Sequence, residues 1–439
     1  MLRPCAIILI LMLILAGTAG RGATAVQSLP AVAAASPHAS PAGGPQRYTL
    51  PPEKLAKARV LGWIRPAMYF AGSLLECGLL FAFLATGLAV KLESWCGRRI
   101  KRRWLQGLLY FSFLHLGLWL AMLPLSVFGH AVSLHYGISV QGWGGWMLDV
   151  AKAMGIFFLP IILLLLFCNW LVRRSPRRYW LWLWAITVPL MILGALVEPL
   201  GEPLFNHFEP LAKSHPELVA KLEEVAARTG ERIPPERIYL MQASVRTNAL
   251  NAYVTGLGKT KRIVVWDTTA GRIPDDEILF IFGHESGHYV LHHIPKGLAL
   301  AAISLLPFYW ICAQVAGCAV RRWGARRGFH APESRAGFVL LLLVALSASF
   351  LADPANNLVS RYFEHQADVY GQEAIHGIVA DPRQSAVNSF IHLGEAVLDD
   401  PDPNPLIEFW SYSHPSLQHR VQFAAQYDPW RAGQKARFF

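Results

Sequence analysis

The sequence predicts a mainly α, polytopic transmembrane helical protein that also carries a polar domain with a small antiparallel sheet. Three observations predict it. Hydrophobic residues make up 54% of the 439 and charged residues only 16%, whereas a soluble domain is about a quarter charged. Apolar stretches near the roughly 20 residues that cross a bilayer as a helix recur along the chain. The polar segment between them holds His284-Glu285-Ser286-Gly287-His288 on a helical pattern. This composition excludes a disordered chain, a collagen-like fibre and a simple cytosolic globule.

At the N-terminus, Arg3 precedes an apolar run from Ala6 to Gly17, and Ala23-Thr24-Ala25 supplies the small residues of an export cleavage site. Residues 1–25 therefore read as a signal peptide or, if uncleaved, an N-terminal anchor. The segment 26–58 opens on an Ala/Pro/Ser-rich stretch with almost no charge and reads as a flexible linker. Residues 59–200 hold four candidate spans, Ala67 to Leu92, Leu105 to Val127, Ala153 to Leu171 and Tyr179 to Leu200. Two more, Gly297 to Val320 and Ala336 to Ala352, fall in 296–352. Pro124, Pro160, Pro189 and Pro307 are expected to kink or interrupt these helices. Glu76 and His115, polar at membrane depth, are expected to face an internal cavity.

Lys and Arg number 40 against 29 Asp and Glu, a net charge of +11. The excess sits in the short gaps Glu93 to Arg103, Val172 to Arg178 and Arg321 to Arg335, where basic residues determine membrane orientation. Membrane orientation, rather than nucleic-acid binding, is thus the reading of the charge. With those gaps cytoplasmic, residues 201–295 and the tail 353–439 fall on the far side. The six cysteines are scattered without a CxxC pair, which argues against a zinc ribbon or a disulfide framework.

The polar segment opens as an amphipathic helix, with Leu218, Leu222, Val225 and Ala226 on one face and Gly230 as its stop. Three β-rich runs follow, Arg237 to Met241, Asn251 to Thr255 and Arg262 to Trp266, read as the antiparallel sheet. After Pro274, Asp275 and Asp276 can cap the helix that carries H-E-x-x-H. Four residues advance about 400° on a helix, so His284 and His288 share a face and can hold one metal ion. Glu285 beside them is placed as a general base for a water activated by the metal.

A catalytic zinc takes three protein ligands and leaves a position open. Glu364, on a probable helix after the last span, is the candidate third ligand. Asp368 falls four residues on and on the same face, where it can hold a ligating histidine or stabilise charge. His292, His293 and His365 compete as ligands. Eight helical residues span about 12 Å, so His284 and His292 cannot share one ion.

Leu204 to Leu211, Asn251-Ala252-Tyr253, Lys261 to Thr268, the H-E-x-x-H and Ser360 to Asp368 together resemble the CAAX prenyl protease 1 family of integral-membrane zinc metallopeptidases. The likeness runs from about Leu200 to Arg420. It implies a zincin-like catalytic domain with one Zn2+ per chain on His284, His288 and Glu364, and Glu285 as the catalytic base. It further implies Asp368 as a catalytic acidic residue, His414 and Arg420 as groups that stabilise the oxyanion or organise the site, and Asn251, Ala252 and Tyr253 as a substrate-binding edge strand. Thr247 to Leu250 and the export-like N-terminus depart from the family pattern. The catalytic domain then comprises 201–295 and 353–439.

The expected function is a membrane-embedded zinc metalloendopeptidase whose partners are an extended peptide or protein substrate and the lipid bilayer, with no nucleic acid. The expected location is a bacterial inner membrane with the catalytic part outside the cytoplasm. The rival reading is a non-catalytic zinc-containing receptor, transporter or chaperone-like protein, against which the intact Glu285 argues.

Overall fold

The computed structural model describes residues 47–230, 233–256 and 260–439. The expected export segment 1–25, most of the linker and Cys5 lie outside the described residues. Two hydrophobic cores organise the rest. One joins the membrane helices through residues such as Leu80, Phe111, Ile162 and Val339. The other fills the polar half around Leu222, Val265, Phe280 and Phe390.

The membrane part begins with α1 (Pro52–Ala85), α2 (Leu88–Arg99), α3 (Arg103–His135), α4 (Trp143–Arg174) and α5 (Tyr179–Gly201). Helix α1 starts inside the stretch expected as linker, because Pro52 at its first position fits a helix N-terminus. Just before it, Tyr48 and Leu50 are buried in the polar-half core. The first apolar stretch is divided at Gly87, whose φ of 72° ends one helix and starts the next. Pro124 and Pro160 sit inside continuous helices, as do Pro189 and Pro307. They do not interrupt them, because packing across the bundle holds the flanking turns.

Across the sequence, β1 (Phe208–Pro210), α6 (Pro216–Arg228), β2 (Ile238–Met241), β3 (Ala252–Thr255) and β4 (Arg262–Trp266) follow. The sheet order is β1-β2-β4-β3. It is mixed rather than antiparallel throughout, since β2 and β4 run parallel while β1–β2 and β3–β4 are antiparallel. The cause is the loop 242–251, which carries the chain past the place of β4 so that the β3–β4 hairpin docks through β4. Asp267 pins that loop by accepting from the Ala243 and Ser244 amides, each at 2.9 Å.

The chain then runs through α7 (Asp275–Val290), α8 (His293–Ala319), α9 (Arg335–Ile375), α10 (Pro382–Val397), α11 (Pro405–Ser411) and α12 (Leu417–Gln426). Asp275 and Asp276 do not cap α7. Asp275 instead pairs with Lys221 at 2.7 Å and Asp276 accepts from Ser385 at 2.6 Å. Among the described residues six helices are long and apolar enough to cross a membrane: α1, α3, α4, α5, α8 and α9. The last span and the helix after it are one 41-residue rod, α9, with Pro354 inside it. At 1.5 Å per residue it runs about 60 Å, twice a hydrocarbon core of about 30 Å.

Arg335, at the start of α9, donates to Glu93 at 3.4 Å and to the Arg103 carbonyl at 3.0 Å. Arg327 reaches the Ala85 carbonyl. These contacts gather two of the basic gaps at the end of the bundle away from the distal half of α9. Within the bundle, Glu76 and His115 line a cavity walled otherwise by Leu80, Leu114, Leu118, Leu165 and Leu342 among its apolar residues, as their polarity predicts.

Candidate metal centre

Helix α7 gives His284 and His288 one direction, and packing against α9 buries them at 7% and 2% exposure. Their Nε2 atoms face each other at 3.2 Å. Glu364 of α9 closes the triangle, with Oε2 3.3 Å from His284 Nε2 and Oε1 3.5 Å from His288 Nε2. The one ligand atom offered by each residue lies within 4.8 Å of the other two. Glu364 Oε2 is buried without a hydrogen-bond partner. Two ring nitrogens and a carboxylate oxygen converging in a buried space form a donor set suited to a cation.

Glycines permit this approach. A Cβ on Gly371 would stand 2.9 Å from the His284 amide nitrogen, and one on Gly283 would stand 3.1 Å from the Gly371 carbonyl. Gly287 likewise faces the Tyr370 ring. Backbone therefore meets backbone where α7 crosses α9.

Each histidine is held from behind. His284 Nδ1 lies 2.8 Å from Asp368 Oδ1. Arg420, on α12, grips Asp368 with two bonds of 2.5 and 3.0 Å. His288 Nδ1 instead meets His293 Nδ1 at 3.0 Å, and His293 Nε2 meets Gln366 Oε1 at 3.1 Å. The competing nitrogens are thereby sorted. His293 contacts the outer side of His288, His292 occupies the left-handed junction at φ 57°, and His365 packs against Phe423. The contacts of His293 and Gln366 behind His288 escaped the sequence reading, although a histidine five places after His288 was the available signal.

The electrostatics suit a cation. Burial pulls the His284 imidazole down, but Asp368 and Glu364 outweigh it and lift the pKa to about 9. Burial keeps His288 well below its ordinary value, a neutral ring with a lone pair to give. Burial also pushes the Glu285 carboxyl up to about 7, and its Oε2 has no partner. A carboxyl so placed can exchange protons near neutral pH. His414 sits at the rim, its side chain 45% exposed and its Nε2 3.4 Å from Glu364 Oε1.

Beside α7 lies β3, an edge strand of the sheet. Tyr289 donates to the Val254 carbonyl at 3.2 Å and so ties the two elements. Asn251 is fixed by its amide to Thr269 Oγ1 at 2.7 Å, and Ala252 is buried. Tyr253 turns its hydroxyl toward Glu202.

Residues 212–428 match peptidase family M48, and residues 45–207 match the CAAX prenyl protease N-terminal family, described as five membrane helices. The chain is 36% identical over 374 residues to the uncharacterized metalloprotease YhfN of Bacillus subtilis, covering 85% of this chain and 86% of that one. It is 28% identical to the CAAX prenyl protease 1 homolog of Arabidopsis thaliana, over 68% of this chain and 69% of the other. With CAAX prenyl protease 1 of Saccharomyces cerevisiae the identity is 27%, over 68% and 67%. The crystal structure of S. mikatae Ste24p superposes with a TM-score of 0.73 at 21% identity, covering 95% of this chain and 99% of that one; the fold is shared.

Proposed function

The chain belongs to peptidase family M48 and is a multi-pass membrane metalloprotease, and we propose that it is a zinc endopeptidase that cleaves extended polypeptides at the His284–His288–Glu364 centre. The observation that carries this reading is the ligand triangle, with edges of 3.2, 3.3 and 3.5 Å. A tetrahedral zinc with bonds of about 2.0–2.1 Å has ligand–ligand edges near ~3.3 Å. One Zn2+ per chain fits, and the rival reading of a non-catalytic receptor, transporter or chaperone-like protein has no use for the family's catalytic framework.

When bound, the metal polarises the scissile carbonyl and acidifies water. Glu285 accepts the proton at Oε2 and returns it to the leaving amine. Asp368 holds His284 in register, and Arg420 serves the site by orienting Asp368, since its guanidinium is already engaged there. His414, half exposed at the rim, is placed to donate to the oxygen that gains charge. The substrate lies extended along β3 and pairs with the backbone of Asn251, Ala252 and Tyr253, a mode that reads main chain more than sequence.

The clustering of basic gaps at the end remote from the site supports a cytoplasmic location for that end and a non-cytoplasmic one for the catalytic centre. In a bacterial inner membrane this serves exported or membrane proteins. The test is zinc content and cleavage of an unfolded reporter by purified wild type, Glu285→Gln and Glu364→Ala. Wild type is expected to cleave, Glu285→Gln to hold zinc with cleavage reduced about 10²-fold or more, and Glu364→Ala to lose zinc. Equal zinc in all three with no cleavage overturns the reading.

A further inference from the structure

The two ligating histidines rest on different chemistry. His284 backs onto an ion pair, Asp368 with Arg420. His288 backs onto neutral groups that run outward in a line: His288 Nδ1 to His293 Nδ1 at 3.0 Å, His293 Nε2 to Gln366 Oε1 at 3.1 Å, and Gln366 Nε2 to the Tyr362 hydroxyl at 3.2 Å. The His293 ring is buried and stacked on Phe363, with centroids 4.4 Å apart and planes 8° from parallel.

Two δ nitrogens at bonding distance require one proton between them, and the centre decides which ring carries it. A neutral imidazole that offers Nε2 to a metal keeps its proton on Nδ1. His288 Nδ1–H then donates, His293 Nδ1 accepts, and the His293 proton must sit on Nε2. There it meets the Gln366 carbonyl oxygen, which has no hydrogen of its own. The Gln366 amide NH2 is left to donate to Tyr362. With this assignment all three contacts pair a donor with an acceptor. The reverse assignment protonates His288 Nε2, which points into the ligand triangle and would block it.

The backbone makes this line possible. On an unbroken helix five residues advance about 500°, so a residue at that spacing points about 140° away from His288. The left-handed His292 between α7 and α8 turns the chain, and α8 begins with His293 folded back onto His288.

We propose that His293 and Gln366 are positioning residues that fix the tautomer of His288, keeping its Nε2 lone pair directed at the metal. The inference rests on the metal reading above and adds to it the device by which one ligand is prepared without a carboxylate. Such outer partners typically contribute 10- to 100-fold to metal affinity.

Full-length protein in detergent provides the test, by chelator competition for zinc and by the visible spectrum of the cobalt(II)-loaded form. His293→Phe keeps a ring over Phe363 but removes the acceptor, and is expected to weaken zinc about 10- to 100-fold and shift the cobalt bands. His293→Asn sets an amide oxygen where Nδ1 lay and is expected to recover most of that loss. Gln366→Met, a similar volume without hydrogen bonds, is expected to weaken zinc in the same direction by less, and it carries the test should His293→Phe fail to fold. A purely steric role for His293 predicts the opposite ranking, with Phe tolerated and Asn harmful. Zinc binding by His293→Phe or by Gln366→Met equal to wild type, or no advantage of Asn over Phe, overturns the tautomer role while leaving the metal centre standing. Wild type that binds no zinc overturns both.

Discussion

Helix α7 carries His284, Glu285 and His288 within five residues, whereas α9 delivers Glu364 and Asp368 from a 41-residue rod that starts at the membrane. The chemistry of α7 is local: helical periodicity alone puts two nitrogens on one face. The contribution of α9 is positional. Its carboxylates reach those nitrogens only because Gly371 and Gly283 let the two backbones touch. A membrane helix thus becomes one wall of the proposed metal centre, and the accuracy of the site depends on packing rather than on the motif.

The largest expected break is therefore on the packing side. Gly371→Val sets a branched side chain where even a Cβ stands 2.9 Å from the His284 backbone. The helices must separate, and the protein is expected to lose zinc, cleavage and several kcal/mol of stability together, at the upper end of the roughly 1–3 kcal/mol typical of overpacking. Metal analysis alongside thermal unfolding checks this. A Gly371→Val protein with normal zinc content contradicts the role given to that contact.

Next in size is Asp368→Asn. It preserves shape but removes the carboxylate that faces His284 Nδ1 at 2.8 Å and binds Arg420. Zinc affinity is expected to fall about 10- to 100-fold, measured by chelator competition. Comparison with the His293 variants then ranks a charged against a neutral support of the same kind of ligand.

A smaller effect separates chemistry from assembly. Glu285 must be ionised to accept a proton, so activity falls as pH drops through its pKa. Burial raises that value from 4.5 to about 7. A neighbouring cation favours the carboxylate and draws it back down. The acid limb of kcat/KM is expected between pH 4.5 and 7, and residual activity of Glu285→Gln should not show it. A limb above pH 7 would assign the titration to another group.

The sequence made the membrane helices legible because each needs a long apolar run, and little else produces one. It made the shared face of His284 and His288 legible because their spacing is a helix repeat, and it singled out Glu364 as a candidate third ligand, which the structure places beside them. The parallel pairing of β2 with β4 was not legible, since strand order depends on where the loop 242–251 lands and not on alternation within a strand. The unity of α9 was not legible, because the apolar run ends at Ala352 and the polar residues beyond it read as a separate helix, whereas the structure continues through Pro354 to Ile375. His293 was seen only as a rival ligand, because its contact with His288 arises from a left-handed residue that periodicity does not anticipate.

The smallest expected effect lies at the start of α7, where the motif helix meets α6. Lys221 and Asp275 pair at 2.7 Å with side chains 46% and 37% exposed. Solvent screens such a pair, and its loss costs about 0.2–1 kcal/mol. Asp275 also stands in the first turn beside Asp276 and Glu277, where acidic groups complement the helix dipole without help from a lysine. Lys221→Ala is therefore expected to shift the thermal midpoint slightly while zinc affinity and kcat/KM remain those of wild type. If that variant instead lowers zinc affinity tenfold, the placement of α7 depends on its exposed N-terminus, and the glycine contact with α9 is not sufficient to hold it.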